Sequence, residues 1–228
     1  TASSLSYLGF PNIFLYLVLV MPLQVNKLFF NNINVSIWRI DETEDFLISN
    51  LDLSINCKKR LKSIQSPSYR KQFLSVRTLI KYNDIDLNNL FYDSNGAPFL
   101  KNNLNISISH TNNYSAIALS KNPVGIDIQD YREKILSVRD KFVNEFEIEL
   151  IDTHSVNDLT ILWSIKESIY KIYKKKGLNF KKNIIVQKIT KDFKDSLSLV
   201  NDMDKKTFFK SKNIIHSNYI CSIVKVND

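Results

Sequence analysis

One stretch constrains this chain more than any other, Leu159-Thr160-Ile161-Leu162-Trp163-Ser164-Ile165-Lys166-Glu167-Ser168-Ile169-Tyr170-Lys171-Ile172-Tyr173. Leu162, Ile165, Ile169 and Ile172 recur at helical spacing and make one apolar stripe. Trp163, Glu167 and Lys171 stand one turn apart on a different face. The pattern predicts a helix that buries one side and presents a carboxylate and an ammonium on another. Read alone, the Glu167–Lys171 spacing is equally that of a surface i,i+4 pair, worth about 0.2–0.5 kcal/mol to the helix.

A second acid upstream raises the interest of the first. Val124-Gly125-Ile126-Asp127-Ile128-Gln129 sets Asp127 inside an apolar run, where a carboxylate is costly to bury unless something pairs it. Strand periodicity turns Gly125, Asp127 and Gln129 to one face and the isoleucines to the other. Gly125 leaves that face open to a ligand. Brought together, Asp127 and Glu167 would give hard oxygen donors for Mg²⁺, completed by water and phosphate oxygens, with Lys171 one turn from Glu167 for a phosphate. A buried aspartate bonded into a neighbouring loop satisfies the same pattern.

Around these two segments the chain reads as mixed α and β. Ile33, Val35 and Ile37 alternate with polar residues as in a half-buried strand. Asp41 to Leu51 reads as a helix capped by Asp41, with Glu44 three residues on. A basic helical region follows over 57–82, broken at Ser66-Pro67-Ser68. Asn95-Gly96 marks a turn. Strands are predicted to end at Ser109-His110, to run from Tyr114 to Ser120, and to run from Val124 to Gln129, as an antiparallel meander. Val138 to Ile151 reads as a helix with Phe142, Phe146 and Leu150 on one stripe. Gly177, after Lys174-Lys175-Lys176, suits a helix stop. Short strands are expected over 184–188, 197–200, 207–210 and 219–225. His110 to Leu119 echoes His216 to Val224: each is a histidine, a polar turn and a tyrosine opening an apolar strand. The echo suggests two similar halves divided near 120–124.

Composition narrows the classes of function. Glycine and proline are scarce, and neither a P-loop nor a dinucleotide fingerprint is present. Lys plus Arg total 31 against 23 Asp plus Glu, a formal charge of +8, which suits phosphorylated cofactors, nucleic acid, anionic lipid or an acidic protein. The two cysteines, Cys57 and Cys221, lack metal or redox spacing, as in a reduced cytoplasmic protein. The apolar run from Ile13 to Met21 is too short to span a bilayer and lacks a basic leader region. Residues 1–20 are therefore expected to be a non-native or disordered extension, with a half over 21–122 and a half over 123–228.

The paired segments Gly125-Ile126-Asp127 and Trp163-Ser164-Ile165-Lys166-Glu167-Ser168-Ile169-Tyr170-Lys171 resemble the signature of the 4′-phosphopantetheinyl transferases, more closely the monomeric, surfactin-type branch. Asn95-Gly96-Ala97-Pro98, Ile108-Ser109-His110-Thr111, and Phe142 with Glu145 and Glu147 agree. The resemblance implies two α+β halves in pseudo-twofold arrangement with a site at their junction. It implies transfer of phosphopantetheine from coenzyme A to a serine of an apo acyl or peptidyl carrier protein, releasing 3′,5′-ADP. In the family pattern Asp127 and Glu167 bind Mg²⁺, Glu167 serves as base and Lys171 holds the pyrophosphate. Ser109 and His110 match contacts to coenzyme A phosphates, and Gly96 and Pro98 the segment lining the adenine. Arg60, Arg70 and Arg77 are candidates for the 3′-phosphate. Two residues depart from the pattern: Gln129 stands at the third metal position, often Glu, and Ala97 replaces the usual lysine. The resemblance implies a cytoplasmic monomer that binds neither membrane nor nucleic acid. Two alternatives stand beside it. One is a catalytically degenerate protein that binds coenzyme A or a carrier. The other is a basic nucleic-acid-binding protein using residues 58–77.

Overall fold

The computed structural model describes residues 22–203 and 205–227; the expectation for residues 1–20 lies outside them. A hairpin of β1 (Leu23–Phe29) and β2 (Ile33–Arg39) opens the chain. Three helices follow: α1 (Glu44–Ser49), α2 (Ile55–Ser63) and α3 (Pro67–Tyr82). The cap of α1 is Thr43, whose hydroxyl accepts from the Phe46 amide, and not Asp41; Asp41 pairs instead with Arg39. Ser66 caps α3, and Pro67 takes the first turn, where its missing N–H is no loss.

A small hairpin of β3 (Leu90–Tyr92) and β4 (Pro98–Leu100) turns through Gly96, at φ +82°. Then come β5 (Asn105–His110), β6 (Tyr114–Ser120) and β7 (Val124–Asp130). A short α4 (Lys134–Val138) leads to α5 (Val156–Tyr173), the helix expected from the sequence. Four strands close the chain: β8 (Ile184–Ile189), β9 (Asp195–Asp202), β10 (Lys205–Ile215) and β11 (Tyr219–Val226).

Two antiparallel sheets result, ordered β1-β2-β6-β5 and β7-β11-β10-β9-β8. Period-2 alternation sorts their side chains into layers. Ile117 and Leu119 of β6 pack with Leu74 and Ile80 of α3. Tyr114, Ala116 and Ala118 of the same strand meet Ile126, Ile128, Cys221 and Ile223 of the second sheet. The other face of that sheet, with Ile220 and Val224, packs on Leu162, Ile165 and Ile169 of α5. The fold is α+β, with the order helix, sheet, sheet, helix. The Tyr114 and Tyr219 rings, from the two echoing segments, touch at 4.6 Å between centroids.

Three expectations are corrected. The meander stops at β6, because β7 joins the second sheet through β11. Toward β5, β7 meets side chains: its Ile126 and Ile128 amides donate to the Ser107 and Ser109 hydroxyls at 3.0 and 3.2 Å. The segment 138–151 is not one helix. Asn144 takes an extended conformation and a capping box with Glu147, and Phe146 lies in solvent. Burial of Glu147 overrides the apolar period there. Finally, α5 ends at Tyr173 with Lys174 in the left-handed region, φ +56°, three residues before Gly177. Among the described residues, no helix is long and apolar enough to cross a membrane.

Candidate active site

The site forms where β5, β7 and α5 converge. Asp127 is 2% exposed and points from β7 toward α5. Its Oδ1 accepts from the Ser109 hydroxyl at 2.8 Å and the Lys171 ammonium at 2.7 Å, and its Oδ2 from the Gln129 amide at 2.8 Å. Lys171 also donates to the Ile126 carbonyl at 2.9 Å, and the Ser164 hydroxyl to the Asp127 carbonyl at 3.0 Å. These donors pair a carboxylate that burial would otherwise leave uncompensated.

Glu167 sits one turn before Lys171. Burial, and then repulsion from Asp127, push its carboxyl up to about 7, with Lys171 pulling the other way. His110, at the end of β5, is held below its ordinary value, first by burial and then by the Lys171 and Arg77 charges, with Asp127 opposing. Its ring meets Tyr69 edge-on at 5.4 Å. These groups border one cleft of about 460 Å³, whose walls include Arg60, Arg77, Gly96, Pro98, Ser109, His110, Asp127, Gln129, Glu167 and Lys171. A second cavity of about 290 Å³ adjoins it across Gly96, Pro98 and Lys171, edged by Lys174, Lys175 and Lys176.

The far wall is cationic and aromatic. Arg77 is 3% exposed. It donates to the Phe73 carbonyl at 3.1 Å and the Tyr92 hydroxyl at 2.9 Å, and lies 3.4 Å from the Phe73 ring centroid. Its Nε has no partner among the described residues. Arg60 stacks over Tyr92 at 3.9 Å. Arg70 stands apart from this group. It pairs with Glu44 at 2.6 Å, donates to the Leu61 carbonyl at 2.7 Å, and does not line the cleft. It ties α3 to α1 and α2.

Gly125 has a different use from the one expected. A Cβ there would run into the Ser168 carbonyl oxygen and the Ile172 side chain. It admits helix α5, not a ligand.

The sequence reading missed Tyr69 and Tyr92. Tyr69 could have been found, since it shares the i, i+4, i+7, i+8 stripe of Phe73, Val76 and Arg77. Tyr92 had no local signal. Also missed was the fixing of α5 from behind. Lys166 is fully buried and donates to the Phe142 carbonyl at 2.6 Å, the Phe180 carbonyl at 2.9 Å and Glu147 at 2.8 Å. Burial lowers its ammonium to about 8, with Glu147 opposing.

Among the described residues, no three His, Cys, Asp or Glu side chains cluster as a metal site. Asp127, Glu167 and Gln129 bring two carboxylates and one amide to the cleft. That set fits Mg²⁺, which takes one or two carboxylates and fills its octahedron with water and substrate phosphates.

The fold and cleft define an α+β protein that presents paired acids beside cations fit for a phosphorylated ligand. Residues 123–224, just under half of the chain, match the family model described as the 4′-phosphopantetheinyl transferase superfamily. A 4′-phosphopantetheinyl transferase, gsp, of Aneurinibacillus migulanus is 30% identical over 106 residues, which is 44% of this chain and 45% of that relative. The chain thus matches less than half the length of this curated relative. The resemblance carried by the Asp127 and Glu167 segments is borne out over this stretch, which contains both.

Proposed function

We propose that the chain transfers the 4′-phosphopantetheine group of coenzyme A to a serine hydroxyl of an apo acyl or peptidyl carrier protein, releasing 3′,5′-ADP. One observation carries the reading: Asp127 of β7 and Glu167 of α5, far apart in sequence, border the same cleft as Ser109, His110, Lys171 and Arg77. The superfamily match over 123–224 supports it.

In this reading Asp127 and Glu167 hold Mg²⁺, with Gln129 as a weaker third donor or the holder of a water. When bound, the ion supplies charge neutralisation to the diphosphate. The chain's own groups do the rest. Lys171, Ser109 and His110 position the diphosphate. A neutral His110 adds a hydrogen bond rather than a second full charge beside Lys171. Arg77, buried with no acid partner among the described residues, takes the 3′-phosphate with Arg60 at the cleft edge. The carrier serine attacks the β-phosphorus, its proton passes to Glu167, and 3′,5′-ADP leaves as a phosphate. The position of Glu167 on the wall of the cleft supports that role. Positioning and electrostatic stabilisation supply most of the acceleration.

The reading takes 21–122 and 123–228 as two halves with the cleft between them, supported by the passage of the chain from the first sheet to the second at β7. It takes the protein as a monomer and as cytoplasmic, the latter in keeping with two free, buried cysteines. The test incubates the chain with coenzyme A, Mg²⁺ and a panel of apo carriers, and weighs the carriers. A phosphopantetheine adduct on at least one is expected. Tight coenzyme A binding with no adduct on any carrier would mark a degenerate member instead.

A further inference from the structure

The oxygen of Asp127 that faces Lys171 already has a cation on it. The Lys171 ammonium lies 2.7 Å from Oδ1 and is steadied there by the Ile126 carbonyl at 2.9 Å. The Ser109 hydroxyl takes the same oxygen at 2.8 Å, and the Gln129 amide takes Oδ2 at 2.8 Å. Both acceptor positions of Oδ1 and one of Oδ2 are therefore in use, and the oxygen that carries Lys171 has none left. Glu167, by contrast, has no ion-pair partner among the described residues. The two acids of one cleft differ in kind, one occupied by a resident cation and the other free.

A divalent ion and an ammonium cannot share one carboxylate oxygen at contact distance without strong repulsion. Lys171 is long and flexible, its side chain is 28% exposed, and it lines both the main cleft and the adjoining cavity. It has somewhere to go. The anion that would draw it off Asp127 is a diphosphate entering the cleft.

We infer that Lys171 is a placeholder for the metal. It closes Oδ1 of Asp127 to divalent cations until a diphosphate takes its ammonium away, so that metal and coenzyme A bind in mutual dependence. The inference rests on the proposed reading of Asp127 and Glu167 as metal donors. It adds an order to that reading: free metal binds poorly, and the nucleotide opens its own metal site. Because linkage is reciprocal, metal must tighten coenzyme A by the same factor.

The test is calorimetric titration of the full chain with Mn²⁺, with and without saturating coenzyme A and no carrier present. The proteins are wild type, Lys171→Met, and Lys176→Met as a charge control. Lys176 is an exposed cation near the same helix end that touches neither acid. Lys171→Met is expected to bind Mn²⁺ alone at least tenfold more tightly than wild type, and Lys176→Met within twofold of wild type. Coenzyme A should tighten Mn²⁺ more in wild type than in Lys171→Met. If wild type binds Mn²⁺ with coenzyme A but Lys171→Met binds it alone no better than Lys176→Met does, the placeholder is overturned and the metal reading stands. If no protein binds Mn²⁺ with or without coenzyme A, both fall.

Discussion

A methyl group on Gly125 would overlap the main-chain carbonyl oxygen of Ser168. Strand β7 and helix α5 cross there backbone against backbone. Asp127 is two residues from the crossing on one side, and Glu167 is next to it on the other. Gly125→Ala must push helix and strand apart and carry the two acids with them. Overpacking of this kind costs about 1–3 kcal/mol. A shift of about 1 Å at a reacting group costs on the order of 100-fold in rate. Thermal unfolding and the rate of carrier modification should both fall, the rate by much more than stability explains. An unchanged rate would show that the acids do not depend on this contact.

The buried Lys166–Glu147 pair sets the rotation of α5 from the side away from the cleft. Removing one partner strands the other charge, so Lys166→Met and Glu147→Leu should each cost about 3–5 kcal/mol. Removing both, as Lys166→Met with Glu147→Leu, should cost less than the two single changes together. Denaturant unfolding of all four proteins checks this, and additive losses would mean that the pair is not coupled. The Val186 amide, which donates to Glu147 at 2.7 Å, loses its acceptor in any variant without that carboxylate, so the double variant should still fall short of wild type.

The site was more legible in the sequence than the elements beside it. Asp127 and Glu167 could be found because each broke a strong local pattern. One was a charge in an apolar strand, the other a charged face on an amphipathic helix. The strand pairing of β7 could not be found, since Val124 to Gln129 reads the same whether its partner is the adjacent strand or β11, almost a hundred residues away. Val138 to Ile151 misled for a related reason. Its helical period is real, but Glu147 gains more by reaching a buried ammonium than by lying on a helix surface. Arg70 and Arg77 are seven residues apart, two helical turns, so periodicity puts them on one face of α3. Only their partners separate them. The first turn of α3 lies against Glu44, and the third turn against the cleft.

The Glu167 carboxyl gives a pH signature in the metal-free protein. Its value is raised from 4.5 to about 7. Between those limits the folded state keeps a proton that the unfolded state has lost. The stability present below the unfolded value therefore declines as pH rises to about 7. At about 1.4 kcal/mol per unit, discounted for partial exposure, this amounts to roughly 1–3 kcal/mol. Glu167→Gln removes the titration. The variant should match wild type at pH 5 and be more stable than it at pH 8, in denaturant melts with chelator present. Equal differences at both pH values would mean that Glu167 is not perturbed in the fold.

Arg70 and Arg77 allow one further separation of structure from ligand binding. Arg70 bonds to Glu44 and to carbonyls at the end of α2, so Arg70→Met should lower the melting temperature and leave coenzyme A affinity unchanged. Arg77 is buried, faces the cleft and, among the described residues, contacts only neutral groups within ion-pair reach. A cation in that position is poorly compensated until an anion arrives. Arg77→Met keeps the packing of the stem on Phe73, so the free protein should melt near or above wild type. The variant should lose a bidentate anion contact and bind coenzyme A at least tenfold more weakly. It should lose much less affinity for dephospho-coenzyme A, which lacks the 3′-phosphate. Calorimetry with both nucleotides decides the matter. An equal loss for the two would move Arg77 from the 3′-phosphate to another part of the ligand.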